Sequence, residues 1–292
     1  MSELRDCAAP AKLNLFLHVV GRRTDGYHLL QSVFQLIDLS DVLHFSSRTD
    51  GRISRVGAIV GVPEDEDLSV RAARLLQRQT GSSLGVDISL EKRIPIGGGL
   101  GGGSSDAATT LLALNRLWQL GLTRDELMRM GLSLGADVPF FLFGHNAFVE
   151  GVGERLTALA TPERHFAVVH PGTALSTALI FGAPELTRNT DPIKMSDFCA
   201  DTGIGGIPAL THDFGQNDLE AVAVARLPEI EAALKWLGRR GRARMSGSGA
   251  CVFCAFASRQ AALESLLGMP SQWAGWACSS LPRHPLANWA ND

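Results

Sequence analysis

The sequence predicts an α+β protein with a two-domain architecture, on three observations. Segments with strand alternation are mixed with capped helical segments, without the strand–helix rhythm of a doubly wound sheet. A glycine-rich run sits tightly between one strand and one helix. The pattern then restarts near residues 156–163 with a second set of short strands and helices. A length of 292 residues accommodates two ordinary domains, and the expected division is 1–158 and 159–292.

Residues 11–20 alternate: Leu13, Leu15, Leu17 and Val19 share one face, and Lys12, Asn14, Phe16 and His18 the other. A polar turn, 21–26, follows. Residues 32–39 and 42–46 read as two further strands. Residues 69–79 form a helix with Gly81 as its stop. Residues 86–90 are a strand leading into the glycine run, and a helix from Ser104 to about Gln119 follows, capped by serine and ended by Gly121. Thr123-Arg124-Asp125-Glu126 is a capping box for the next helix, which Gly135 stops. Residues 140–143 read as an apolar strand. In the second half, 166–170, 243–245, 250–256 and 276–279 read as strands. Asn217 opens a helix interrupted at Pro228 that continues to Leu237, and 258–267 is a last helix. Residues 185–207, rich in Pro, Gly, Thr and Asp, read as loop or short helices.

Composition narrows the class. A hydrophobic fraction of 45% and a charged fraction of 20% describe a soluble globular protein. The net charge of −3 offers no basic field for nucleic acid. No apolar run is long enough for a bilayer, and residues 1–9 lack the apolar core of a secretory signal, so a cytoplasmic location is expected. Five scattered cysteines, Cys7, Cys199, Cys251, Cys254 and Cys278, argue against a disulfide framework. Cys251-Val-Phe-Cys254 has redox or metal spacing, yet residues three apart on a strand face opposite sides. They read better as small buried hydrophobes, and no metal-ligating residue is expected.

Six of the seven residues from Gly97 to Gly103 are glycine. Without a Cβ, successive backbone N–H groups can turn toward one anion, and the following helix N-terminus adds partial positive charge. The run therefore reads as a phosphate cradle rather than a flexible linker. A dinucleotide fold would need a second parallel strand after the helix, whereas another capped helix follows. A P-loop would need a lysine at the end of the run, where Gly-Gly-Ser-Ser stands instead. Asp213-Phe214-Gly215 spells a protein-kinase tripeptide, but no His-Arg-Asp loop precedes it, and it reads as a chance match.

Three further features belong beside the run. Lys12 and Asn14 share a strand face near Asp25-Gly26-Tyr27-His28, which carries the single tyrosine of the chain. Gly135-Ala136-Asp137 places a carboxylate at a helix end, where it can orient and deprotonate an alcohol or merely cap a backbone N–H. Ser246-Gly247-Ser248-Gly249 is an ordinary hairpin turn or a second anion-contacting loop.

Together these motifs resemble the GHMP small-molecule kinase superfamily, with its lysine-bearing first strand, Pro-x-x-x-Gly-Leu-Gly-Ser-Ser-type loop and C-terminal glycine-rich turn. The stretches KRIPIGGGLGGGSSDAATTLLALNRLW, LGADVPFFLFGHNAFVEGVGERL and MSGSGACVFCAF narrow the resemblance to one branch. That branch phosphorylates the 2-hydroxyl of a cytidine-diphosphate-linked methylerythritol in non-mevalonate isoprenoid synthesis. The resemblance implies a domain like domain 2 of ribosomal protein S5 followed by a ferredoxin-like domain. It implies ATP and Mg²⁺ as cofactors, and a monomer or weak homodimer without nucleic-acid or membrane partners. Lys12 and Asp137 fall on catalytic positions. Asn14, Tyr27, His28, Thr177 and Phe181 fall on substrate positions. Pro95, Gly97, Gly98, Gly99, Leu100, Gly101, Gly102, Gly103, Ser104 and Ser105 fall on the ATP phosphate loop. Asp67, Leu68 and Lys92 fall near the adenosine pocket. The chain departs from the family's frequent asparagine at Asp67, and Asp106 replaces an asparagine seen in some members. Rival readings are another kinase of the superfamily (mevalonate or homoserine type), a non-catalytic nucleotide-binding module, and a dinucleotide-binding oxidoreductase.

Overall fold

Two β-sheets organise the chain in the computed structural model, which describes residues 2–202 and 214–292, with the backbone alone for 199–202. The first sheet has the order β3-β4-β2-β5-β6, with β1 paired to β2. Its strands are β1 (Glu3–Arg22), β2 (His28–Arg48), β3 (Ile53–Val56), β4 (Gly85–Glu91), β5 (Ala147–Gly151) and β6 (Arg155–Ala158). The second, fully antiparallel, has the order β10-β7-β9-β8 from β7 (His165–His170), β8 (Arg244–Met245), β9 (Val252–Phe256) and β10 (Ala274–Ser279). Helices α1 (Leu68–Thr80), α2 (Gly102–Leu117), α3 (Arg124–Leu132) and α4 (Val138–Phe143) belong to the first half. The second half holds α5 (Thr177–Phe181), α6 (Met195–Thr202), α7 (Glu220–Arg226), α8 (Pro228–Gly238) and α9 (Arg259–Ser265). The α+β class is as predicted. None of the described helices is long and apolar enough to cross a membrane.

Several local signals hold. Asp67 caps α1 and Gly81 ends it at φ 67°. Thr123 and Glu126 close the capping box of α3, and Pro228 separates α7 from α8. Cys251 packs with Leu13, Leu100 and Phe166, while Cys254 packs in a different cluster with Leu237 and Met245. The two thiols thus face opposite sides, and burial pushes the Cys254 thiol up to about 11. Phe214 packs edge-on against Phe16, while Asp213 of the kinase-like tripeptide lies outside the described residues.

Four expectations are corrected. Residues 32–39 and 42–46 are one strand, β2; the polar break reflects a register shift opposite Pro10, where Pro10 pairs with Ser40 but Ala11 with Ile37. Proline cannot donate to the ladder, so an irregularity there costs little. A second shift between Asn14 and Leu17 re-aims β1. Leu17 consequently lines the same cavity as Lys12 and Asn14 instead of joining Leu13. Residues 140–143 are helical, with Pro139 in the first turn and Gly144 closing α4 at φ 78°; a four-residue apolar run does not distinguish strand from buried helix. Helix α2 begins at Gly102, its N-cap is Gly101, and no side chain caps it.

The cores explain where a site can form. Helix α2 is buried along most of its length; Ala107, Ala108, Leu111 and Leu112 pack with Phe34, Leu36 and Phe141. Leu17 and Val19 of β1 instead join the core beneath the second sheet. Ala11, Leu13, Ile37, Phe166 and Phe253 form a cluster that joins the two sheets. The chain end returns to the first half. Leu286 and Ala290 enter its core, and Arg124 donates to the carbonyls of Leu142 and Ala287, both at 2.7 Å.

His284 sits in that returning segment, fully buried, with Nδ1 accepting from Leu286 N. Burial, with Arg124 adding, pushes its pKa down to about 3. An unfolded histidine titrates near ~6.5. Between these values the unfolded chain binds a proton that the folded chain refuses, so stability is lost as pH falls below ~6.5, by up to about 1.4 kcal/mol per pH unit. His284→Asn is expected to flatten the decline in urea-unfolding free energy between pH 6.5 and 5. Identical slopes for the two proteins would contradict the buried neutral imidazole.

Candidate active site

A cavity of about 710 Å³ opens between the glycine run, the middle of β1, the start of β2, the N-terminal end of α4 and α5. The run enters it as a strained-looking but glycine-compatible loop: Gly97, Gly99 and Gly101 have φ of 70°, 74° and 74°, a region that other residues avoid. Close packing adds a second reason for glycine. A Cβ on Gly99 would stand 2.1 Å from the Ser246 carbonyl oxygen. Ala250 N and Cys251 N donate to the carbonyls of Gly97 and Gly98, and Ser246 Oγ to that of Gly99. The Ser246–Gly249 turn is therefore a hairpin between β8 and β9 that braces the loop, and its Gly247 and Ser248 also line the cavity.

At the loop's end α2 starts, with its first backbone N–H groups lacking carbonyl partners within the helix. Its dipole makes this end partly positive. Ser104 lines the cavity, whereas Ser105 does not: its hydroxyl donates to the Pro10 carbonyl at 2.7 Å and its N–H to Gly101 O. Every other residue picked from sequence for the site lines the cavity.

Lys12 is the buried centre of the opposite wall, 3% exposed. Its Nζ lies 2.5 Å from Asn14 Oδ1, 3.5 Å from Asp137 Oδ2 and 4.6 Å above the Phe34 ring. Its backbone N–H donates to Leu100 O, tying β1 to the glycine run. The orientation of Asn14 is enforced. Ser32 Oγ donates to Phe16 O at 2.5 Å and so must accept from Asn14 Nδ2 at 2.9 Å, which turns Oδ1 toward Lys12. Asp137 occupies the N-cap position of α4 without capping it, and its side chain keeps 32% exposure. The carboxylate is thus paired with Lys12 and open to the cavity.

Lys92 has a different setting. Its Nζ lies 2.5 Å from Asp41 and 2.6 Å from Asp106, while Asp41 also accepts from the N–H groups of Arg93 and Ile94. Burial opposes charge on Lys92, but Asp106 and Asp41 outweigh it and hold the ammonium above its ordinary value. Burial lifts the Asp106 carboxyl well above the usual carboxylate range, against Lys92 and with Asp41. Asp67 is likewise engaged, accepting from Ser69 N and from Arg55 Nη1, both at 2.8 Å.

The far end holds the aromatic group. Tyr27 is 63% exposed. The His28 and Phe181 rings lie 5.2 Å apart at 35°, and Thr177 Oγ1 is 2.8 Å from Ser248 Oγ. Burial first, then Arg188 and Arg22, pull the His28 pKa below its ordinary value. Sequence reasoning missed Ser32, Arg55 and Arg188. Each acts through a partner distant in sequence or through a loop without a motif.

Comparison with known proteins agrees with this geometry. The family descriptions "GHMP kinases N terminal domain" and "GHMP kinases C terminal" match residues 67–145 and 203–274. The chain is 59% identical over 287 residues to 4-diphosphocytidyl-2-C-methyl-D-erythritol kinase of Herminiimonas arsenicoxydans, covering 97% of each. It is 56% identical over 289 residues to the enzyme of the same name from Janthinobacterium sp. (strain Marseille), again covering 97% of each. A crystal structure of 4-(cytidine 5'-diphospho)-2C-methyl-D-erythritol kinase superposes with a TM-score of 0.79 at 36% identity, over 96% of this chain and 99% of that one. A homoserine kinase from Cytophaga hutchinsonii shares the fold, with a TM-score of 0.68 at 16% identity over 97% and 96% of the two chains. The chain belongs to the GHMP kinase family, within its 4-diphosphocytidyl-2-C-methyl-D-erythritol kinase branch.

Proposed function

We propose that this chain transfers the γ-phosphoryl group of ATP to the 2-hydroxyl of 4-diphosphocytidyl-2-C-methyl-D-erythritol, giving the 2-phosphate and ADP in non-mevalonate isoprenoid precursor synthesis. The observation that carries this reading is the Lys12–Asp137 pair, 3.5 Å apart in the cavity that the glycine run also lines. A phosphate cradle alone binds a nucleotide; a carboxylate held beside it, uncapped and solvent-reachable, can receive a hydroxyl proton.

Phosphoryl transfer asks the protein chiefly for positioning and charge stabilisation. The N–H groups at the start of α2 and along the glycine run receive the phosphate oxygens. Asp137 orients the acceptor hydroxyl and takes its proton as the new P–O bond forms. Lys12 keeps Asp137 in place and offsets negative charge gathering on the transferred group. The nucleoside of ATP lies toward Ile59, Val62 and Leu68, and the cytidine toward Tyr27, His28 and Phe181, whose rings present flat faces to a base.

The residues at the loop fit a magnesium ion carried in with the nucleotide. Among the described residues no cluster of three or more His, Cys, Asp or Glu side chains is placed to hold a metal, which suits an ion ligated mainly by phosphate and water. Ser104 is the one serine of the pair free to contribute a hydroxyl ligand, because Ser105 is engaged by Pro10. Magnesium supplies neutralisation of phosphate charge when bound.

Asp137→Ala is expected to lower kcat at least ~100-fold with a small change in KM for either substrate. The measurement is ATP consumption with the cytidyl substrate set against mevalonate and homoserine; near-normal turnover would remove Asp137 as the base. The two serines should separate cleanly. Ser104→Ala is expected to lower kcat/KM for magnesium-ATP about 10-fold, the loss of one charge-assisted contact. Ser105→Ala should leave that value unchanged and reduce unfolding stability by ~1 kcal/mol. The reverse pattern would place the wrong serine at the phosphates.

A further inference from the structure

His28 opens β2 and lines the cavity, and one of its ring nitrogens is already engaged. Arg188, on the loop after α5, donates from Nε to His28 Nε2 at 3.0 Å. Its other nitrogens are held by backbone: Nη1 donates to the carbonyl of Leu186 at 2.9 Å, and Nη2 to that of Ala183. The guanidinium is therefore fixed to its own loop rather than free to swing. A guanidinium has donors only and does not lose a proton in proteins. Nε2 must then be the unprotonated, accepting nitrogen, and the single ring hydrogen resides on Nδ1. Adding a proton to Nε2 would aim it at an arginine N–H. The lowered pKa, caused by burial first and by Arg188 and Arg22 after it, is consistent with a neutral ring. Nδ1 has no hydrogen-bond partner among the described residues, and the ring lies beside that of Phe181.

We propose that Arg188 is a positioning residue that locks His28 in the Nδ1–H tautomer, so that the site accepts a pyrimidine offering an unprotonated ring nitrogen, as cytosine does, and rejects uracil, whose corresponding nitrogen carries a hydrogen. This rests on the reading of the aromatic end as the cytidine subsite. The physical content is a donor–acceptor match: Nδ1–H meets a lone pair in cytosine and another N–H in uracil. A buried polar group left facing its own kind discriminates strongly, which a stacking surface alone does not do. Arg188 never has to touch the base; it decides which nitrogen of His28 can.

The tautomer is read first, on the ¹⁵N-labelled, substrate-free protein, from the two-bond ¹⁵N–¹H pattern of the His28 ring. The expected wild-type signature is protonated Nδ1 and bare Nε2 between pH 6 and 8, and Arg188→Met is expected to lose it. Calorimetric titration with cytidine 5′-diphosphate and uridine 5′-diphosphate follows. Wild type should prefer the cytidine nucleotide by about 100-fold, and Arg188→Met should weaken cytidine binding about 10-fold and shrink the preference at least that much. ATP binding should stay within about twofold of wild type. An Nε2–H signature in the wild-type protein overturns the lock without any variant having to fold. An unchanged cytidine preference in folded Arg188→Met overturns it as well. If the wild-type protein binds neither pyrimidine nucleotide, the cytidine reading of the cavity fails, and with it the specificity role.

Discussion

Lys12 carries an ammonium into a seam that water barely reaches, at 3% exposure. Burying a charge there costs several kcal/mol unless its partners are supplied in place. The surrounding structure consists of those partners and their own supports. Asn14 presents its carbonyl because Ser32 occupies its amide, and Ser32 is directed by the Phe16 carbonyl. Phe34 offers a ring face. The Lys12 main chain grips Leu100, so the same residue that needs compensation also anchors the glycine run. A change in any of these members moves the ammonium, the loop, or both.

The two cavity lysines show how partner geometry separates chemistry from architecture. Lys92 has two carboxylate partners, at 2.5 and 2.6 Å. Its charge is fully answered, and Asp106, in the second turn of α2, is thereby fastened to Asp41 of β2. Lys12 has an amide oxygen close by, and its carboxylate, at 3.5 Å, stands farther out than those of Lys92. In the reaction proposed above, it keeps charge to lend to an incoming anion and leaves Asp137 loose enough to accept a proton. A shorter, saturated Lys12–Asp137 bridge would stabilise the resting site and weaken its capacity to respond to a phosphoryl group in transit.

What was legible in the sequence was local. Glycine at 97, 99 and 101 answers a backbone conformation that other residues resist, the capping box of α3 is contained in four residues, and Pro228 breaks a helix wherever it falls. Lys12, Asn14 and Asp137 were legible as a group only through the family resemblance, since the fold brings together positions more than a hundred residues apart. What was missed depends on register or on long-range partners. The bulge between Asn14 and Leu17 has no signature in an alternating strand, yet it carries Leu17 to the cavity. Ser104 and Ser105 look alike in sequence; α2 presents one to the cavity and turns the other to Pro10. Arg188 sits in a segment of prolines and threonines with nothing to mark it.

Asp67, where the family often has asparagine, illustrates how a departure at a cavity wall can be absorbed. Both its oxygens are taken, one by Ser69 N–H and one by Arg55. The Arg55–Asp67 pair is buried on both sides, with side chains 6% and 5% exposed. Arg55 spends its remaining donors on the carbonyls of Gly57 and Val62, which shapes the loop that contributes Ile59 and Val62 to the cavity. An asparagine at 67 could cap α1 equally well, but it would leave the guanidinium without a counter-charge in a place where an unpaired charge is costly. The aspartate therefore acts on the cavity through the loop that Arg55 holds, with its negative charge answered by the guanidinium.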